Sequence, residues 1–205
     1  MYTEVREFFQ DILRRLPGAA VVVLTGQGKH FCAGNDLAEF PSPSPGNAAE
    51  RMENVRNTFW AIRECPIPVV GAVNGAALGT GLCIAASCDV VVAADGARFG
   101  LPEVNVGMMG GAKHASRLSK FGGVLEVVSH SELLDTAHQV ARLMSRHSPV
   151  TLKFAKRSLN EIEYRSLRDG YTYEQGLSGE LSAYRDAKEA VNAALEKRSP
   201  IYSGD

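Results

Sequence analysis

Apolar residues return every three or four positions at the start of the chain: Val5, Phe8, Phe9, Ile12, Leu13 and Leu16, with Glu4, Arg6, Gln10, Asp11 and Arg14 between them. That spacing predicts an amphipathic helix over residues 2–16, stopped by Pro17-Gly18. The pattern then changes. Residues 19–25 form a continuous apolar run, as in a strand covered on both faces. Residues 48–64 return to helical spacing, with Met52, Val55, Phe59 and Ile62 on one face. Pro66 and Pro68 precede a second buried strand over residues 69–73. A glycine-rich turn over residues 74–81, a short apolar helix over about 79–87 and a third strand over 90–94 follow. Helix, strand, turn, helix and strand recur, which indicates an α/β layered fold of repeated units.

Downstream the pattern is more helical. Gly110-Gly111 opens a short helix to Ser119. Ser129 and Glu132 have the spacing of a capping box for a helix over 130–146. Pro149 falls in the first turn of the next helix, which runs to about Tyr164. Residues 174–197 read as one charge-rich helix, suited to packing across a subunit boundary. Residues 41–47, PSPSPGN, read as a surface loop.

The chain has 205 residues, enough for one domain or one domain with a helical appendage. Its net charge of −1 argues against a general affinity for nucleic acid or an anionic membrane. No apolar run approaches a membrane span and no signal peptide stands out, so a cytoplasmic location is expected. Cys32, Cys65, Cys83 and Cys88 lack CxxC or Cys/His metal spacing and read as reduced thiols in apolar surroundings. No metal cluster, nicotinamide fingerprint or flavin signal is present. The run Gly26-Gln27-Gly28-Lys29 lacks the glycine spacing of a phosphate loop, and His30 stands where a magnesium-binding hydroxyl belongs.

The candidate chemistry begins with residues 72–89, AVNGAALGTGLCIAASCD. Glycines at 75, 79 and 81 permit close backbone approach. A helix starting there points unpaired N–H groups and the positive end of its dipole at whatever lies in front, a place to hold negative charge on oxygen. Two other stretches join it: Phe31-Cys32-Ala33-Gly34-Asn35-Asp36-Leu37 after the first strand, and Phe99-Gly100-Leu101-Pro102-Glu103 after the third. With Asn74-Gly75-Ala76-Ala77-Leu78-Gly79-Thr80-Gly81, Cys88-Asp89 and the ending Leu195-Glu196-Lys197-Arg198-Ser199-Pro200, these residues resemble the crotonase superfamily, the enoyl-CoA hydratases and isomerases.

The resemblance implies a crotonase-like spiral of ββα units over residues 1–128 and a C-terminal helical trimerisation region over 129–205. It implies an acyl-CoA substrate, with coenzyme A entering as part of that substrate and no separate cofactor, and a homotrimer or homohexamer. The backbone N–H groups of Asn35 and Thr80 match the family positions that donate to the thioester oxygen, and Glu103 matches a catalytic acid/base. A carboxyl group held among apolar residues such as Leu101, Val104 and Val106 can take and return a proton near neutral pH. Cys83, Asp36, Gly79, Gly81 and His114 are then candidates for the substrate pocket, and Lys29, Ala33 and Lys197 for the coenzyme A path.

Three departures from the family pattern matter. Cys83 stands where hydratases usually carry a second glutamate. Two carboxyls hold a water for addition across a double bond, whereas one suffices to move a proton between C2 and C4, so the single glutamate leans toward isomerisation. Cys83 as a nucleophile lacks a histidine placed to form a dyad. The chain also begins at the family's first long helix and passes from Ser119 almost directly to Val124. If that second shortfall is a stretch left out, a break wider than the ~3.8 Å Cα step is expected near residues 120–123. A non-catalytic acyl-CoA-binding scaffold of the same fold is the alternative. A serine peptidase is disfavoured, because Ser87 lies at the wrong end of its helix and no GxSxG is present.

Overall fold

A computed structural model describes residues 1–35, 45–106, 116, 118 and 122–205. The apolar runs form a four-stranded parallel sheet: β1 (Val22–Thr25), β2 (Val69–Val73), β4 (Val90–Ala94) and β6 (Glu126–Val128), in the order β1-β2-β4-β6. Val23 stands opposite Val70, Gly71 opposite Val91 and Ala93 opposite Val127. Successive side chains point to opposite faces of a strand, so a continuous apolar run supplies two cores. Val22, Val69, Val73, Val91 and Ala93 pack with Phe9, Ile12, Phe59 and Ile62 on one face. Val70, Ala72, Val92 and Ala94 pack with Leu133 and Ala137 on the other.

The first core is closed by α1 (Tyr2–Gln10), α2 (Ile12–Arg15), α3 (Pro45–Arg63) and α4 (Thr80–Ser87). The second is closed by α5 (Leu133–Met144), which lies across β1, β2 and β4. A further helical layer follows: α6 (Pro149–Ile162), α7 (Leu167–Leu181) and α8 (Arg185–Glu196). A second, smaller ladder pairs β3 (Ala76–Leu78) in parallel with β5 (Arg98–Gly100).

The expected helix over residues 2–16 is two helices. Asp11 leaves the helical region at φ −99°, ψ 14°, and its carboxylate accepts from Arg14 Nη2 at 2.6 Å. Short acidic side chains offer the backbone local alternatives to a helix. The expected loop over 41–47 is corrected at its end, because α3 already begins at Pro45, a residue whose fixed φ suits a first helical turn; residues 41–44 lie outside the described residues. The capping box is not made. Ser129 Oγ donates to Glu132 Oε2 at 2.5 Å instead of accepting a backbone N–H, and α5 starts only at Leu133. Ser148 does cap α6, accepting from Thr151 N at 3.2 Å with Pro149 in the first turn.

The single helix expected over 174–197 is also two. It starts earlier, where Ser166 accepts from Asp169 N at 3.1 Å, and breaks before α8, where Tyr184 turns extended and packs its ring edge-on to Phe154, centroids 5.5 Å apart. A tertiary contact thus overrides a locally continuous helical pattern. The helix expected over 110–119 lies outside the described residues, apart from Ser116 and Leu118, which are helical. Lys120 and Phe121, where a backbone break is expected, lie outside them too. Among the described residues, no helix is long and apolar enough to cross a membrane.

The chain's end is tied back onto the helical layer through Asp186, which is 1% exposed. Its carboxylate accepts from Ser148 Oγ at 2.7 Å, Ser203 N at 2.8 Å and Gly204 N at 3.2 Å. Burial pushes the Asp186 carboxyl up, but the hydrogen bonds from Ser148, Ser203 and Gly204 outweigh it and hold it below the ordinary carboxylate value. A carboxyl with a depressed folded-state pKa adds stability above its unfolded value of about 3.9, and that stability is lost as pH falls through the folded value. Asp186→Asn is therefore expected to lower the melting temperature at pH 7, with the gap to wild type closing as the pH drops below about 4. Melting curves from pH 7 to 3 check this; a gap independent of pH would refute it.

Candidate functional site

The three small-residue stretches meet in the small ladder. Cys32 forms a parallel bridge with Ala77 of β3. Its N–H donates to Ala76 O and its carbonyl accepts from Leu78 N, both at 3.0 Å. On the other side of β3 stands β5, with Gly79 N donating to Gly100 O at 2.8 Å. All three segments run the same way, so their C-terminal ends emerge together. Asn35 leaves the first, Thr80 the second and Glu103 the third, the last in a 3₁₀ turn over Pro102–Val106.

Asn74 fixes the register between the two ladders. Its side chain donates to Gly26 O at 3.1 Å and Gly28 O at 2.8 Å, and accepts from Gly26 N at 3.3 Å. That clamps the turn after β1 to the end of β2, and the chain then runs on to Cys32. Gly81 is required by contact rather than by φ. A Cβ there would lie 1.9 Å from Cys32 O. The head of α4 and the first stretch are therefore in backbone contact.

Thr80 is the first residue of α4, and the first N–H groups of a helix have no intrahelical acceptor. Asn35 and Thr80 are brought together: Thr80 Oγ1 lies 3.2 Å from Asn35 Oδ1. Glu103 packs against the residue before Thr80. A Cβ on Gly79 would be 2.9 Å from Glu103 Oε1, and Gly79 itself has φ +54°. Among the described residues, Glu103 Oε2 is buried without a hydrogen-bond partner. A buried carboxylate oxygen left unpaired is costly, and such exceptions concentrate where a group must exchange protons.

Cys83 lies one turn into α4 and is buried. Burial, with the nearby Glu103 charge added, pushes its thiol up to about 11. It is thus a neutral, poorly nucleophilic group at neutral pH. No disulfide joins the four cysteines. Gly79 and Gly81 are both buried at the head of α4.

Other expected residues are not gathered there. Asp36 and His114 lie outside the described residues. Ala33 is exposed, one residue past the Cys32 bridge. Lys29 is exposed at the opposite, N-terminal end of the small ladder, beside a cavity of about 150 Å³ also lined by His30, Arg98 and His130. Lys197 caps α8 in a left-handed conformation, φ 54°, ψ 38°. Among the described residues there is no group of three or more His, Cys, Asp or Glu side chains that could hold a metal.

Sequence patterning gave Tyr2 no part in this site. Its hydroxyl donates to Asn35 Oδ1 and lies 2.6 Å from Thr80 Oγ1. Desolvation raises the Tyr2 phenol above its usual value, the bonds to Thr80 and Asn35 only partly opposing it, so it stays a donor at neutral pH. Nothing in a helical heptad distinguishes a first-turn tyrosine that caps a neighbouring turn from one that covers a core.

The family model for enoyl-CoA hydratase/isomerase matches residues 1–123 and 108–205. The chain is 35% identical to the 2,3-dehydroadipyl-CoA hydratase of Escherichia coli, over 90% of this chain and 81% of that one. It is 34% identical to a (7aS)-7a-methyl-1,5-dioxo-2,3,5,6,7,7a-hexahydro-1H-indene-carboxyl-CoA hydrolase of Rhodococcus jostii, over 84% and 78% of the two chains. Its fold matches the crystal structure of an enoyl-CoA hydratase subunit I from Geobacillus kaustophilus with a TM-score of 0.87 and 30% identity, covering 100% of this chain and 89% of that one. With its three stretches aligned in one ladder and these matches along its length, the chain belongs to the enoyl-CoA hydratase/isomerase family of the crotonase superfamily.

Proposed function

We propose that the protein acts on a coenzyme A thioester by way of an enolate, with the backbone N–H groups of Asn35 and Thr80 holding the oxygen and Glu103 moving the proton. The observation that carries this reading is the shared direction of the three small strands. It delivers Asn35, Thr80 and an unpaired Glu103 carboxylate oxygen to one end of one ladder. Proton removal next to a thioester carbonyl puts negative charge on its oxygen. Donors fixed in advance stabilise that charge without reorganising, and losing one such donor costs about 3–4 kcal/mol of transition-state stabilisation. The head of α4 adds the positive end of its dipole.

Cys83 decides which enolate reaction is favoured. Hydration needs a second polar group to hold the attacking water. A neutral buried thiol supplies a weak donor and little basicity. A single carboxylate that removes a proton at one carbon of an enoyl thioester and returns it at another needs no such partner. The reading is therefore a double-bond isomerase of acyl-CoA substrates, with hydration as the second activity. Relatives named as a CoA-ester hydratase and as an indene-carboxyl-CoA hydrolase show that the family varies its chemistry. Coenzyme A belongs to the substrate here, and the helical layer of α6–α8 would pack between subunits of a trimer or hexamer.

Side-by-side rates on a 3-enoyl-CoA and a 2-enoyl-CoA test this. Faster conversion of the 3-enoyl substrate is expected. Tight binding of both with turnover of neither would instead assign a non-catalytic acyl-CoA-binding subunit.

A further inference from the structure

Tyr2 opens α1 and is held at both ends. Its backbone carbonyl lies 3.1 Å from Thr58 Oγ1 of α3, a fully buried hydroxyl that shares its one proton between this carbonyl and Asn54 O at 2.8 Å. Its hydroxyl reaches across to two turns that come from distant parts of the chain. The protons of the resulting ring can be counted. Tyr2 Oη donates its single proton to Asn35 Oδ1. Thr80 Oγ1 has one proton, and its acceptors are Tyr2 Oη at 2.6 Å and Asn35 Oδ1 at 3.2 Å. Two hydroxyl protons thus serve three short oxygen–oxygen contacts: Tyr2 donates to Asn35 Oδ1, and the Thr80 proton is shared between the other two.

That ring sits beyond the last backbone hydrogen bond between the two turns. The last ladder bond between the first two stretches runs from Leu78 N to Cys32 O. Beyond it each chain passes through a glycine with positive φ, Gly34 at +107° and Gly79 at +54°, immediately before Asn35 and Thr80. Glycine adopts these conformations without the strain other residues would carry. Among the described residues, the Tyr2–Asn35–Thr80 ring is the side-chain link that joins the two turns past this point.

We propose that Tyr2 is a positioning residue: its hydroxyl locks the Asn35 and Thr80 side chains together and so sets the separation and aim of the two backbone N–H groups that follow the glycines. This rests on the enolate reading given above. The ring does not touch the reacting atoms. It acts by restricting where the donors can point, and electrostatic stabilisation of this kind depends on donors held near their final geometry.

The test uses acetoacetyl-CoA, whose enolate absorbs in the near ultraviolet, bound to the full-length protein. The enolate signal is measured per molecule of bound ligand. Tyr2→Phe keeps the ring and removes the hydroxyl. It is expected to lower that fraction, and kcat on an enoyl-CoA, by about five- to tenfold, with KM changed less than about twofold. Thr80→Val breaks the same ring from the other side, and the double variant is expected to lose no more than the worse single one, since both cut one unit. A purely structural role would lower the melting temperature and leave the enolate fraction of the bound ligand untouched. An unchanged fraction in Tyr2→Phe, or losses that simply add, would overturn the proposal. If Tyr2→Phe does not fold, the fraction in Thr80→Val decides in the same way. Absence of an enolate signal in the wild-type protein would instead overturn the enolate reading, and the positioning role with it.

Discussion

Glu103→Gln is expected to lower kcat/KM on any turned-over enoyl-CoA by about 10³-fold, within the range that a positioned acid/base contributes, while acyl-CoA binding stays within about twofold of wild type. Glutamine keeps the shape of the side chain. It can keep its contact over Gly79, where there is no Cβ to displace it. What is lost is a group that accepts a proton. Oε2 is buried and unpartnered, so the substitution breaks no hydrogen bond among the described residues. A fall in kcat/KM from lost binding is therefore not expected. A second readout reports the lost charge directly. The Glu103 charge is part of what raises the Cys83 thiol to about 11, so its removal should lower that value and speed alkylation of Cys83. Full activity in Glu103→Gln would remove the residue from the mechanism.

Much of the architecture was legible because its signals are local. The three central strands are continuous valine- and alanine-rich runs, and a run of that kind has few alternatives once glycine and proline bound it. β4 has the expected bounds, Val90–Ala94, and α4 begins one residue after the expected start. The small ladder was not legible. Ala76–Leu78 and Arg98–Gly100 are three residues each, too short to show a period, and they are strands only because Cys32 and each other supply partners. The glycine-rich turn was correctly placed at the head of α4, but it contains a strand that orders all three candidate stretches.

The same limit explains what was missed at the candidate site. Asn35, Thr80 and Glu103 stand out because the short stretches that carry them resemble the motifs of the family. Tyr2 does not, since its contribution comes from a hydroxyl reaching residues 33 and 78 positions away. Asp11 and Tyr184 interrupt helices through a local carboxylate and a ring contact that no apolar pattern records.

Lys156→Met is expected to destabilise the protein by about 1.5–3 kcal/mol, the range for hydrogen bonds made by a charged group, because Lys156 is buried while its partner Asp89 keeps contact with solvent. For a chain of this size that is a fall in melting temperature of roughly 3–12 °C. Lys156 of α6 is 6% exposed, and its ammonium lies 2.7 Å from Asp89 Oδ2. It also donates to Ile62 O at 3.4 Å and Ile67 O at 3.3 Å. The same Asp89 oxygen accepts from Val69 N at 2.7 Å. One ammonium thus joins the helical layer to the end of α3, the approach to β2 and the foot of α4. Methionine fills the stem's volume but takes the ammonium away from the Asp89 carboxylate and from two carbonyls. Pairing the change with Asp89→Asn should recover part of the loss, because the charge that lost its ammonium goes with it. Surface pairs behave otherwise. Glu161→Ala removes an exposed i, i+4 partner of Arg165 3.2 Å away and should shift stability by under about 0.5 kcal/mol. The strut stands at the foot of α4 and Thr80 at its head, so turnover per folded molecule well below the melting temperature is expected to stay near wild type. Denaturant titration of the single and double variants checks this, and a Lys156→Met midpoint matching wild type would show that the pair adds nothing to stability.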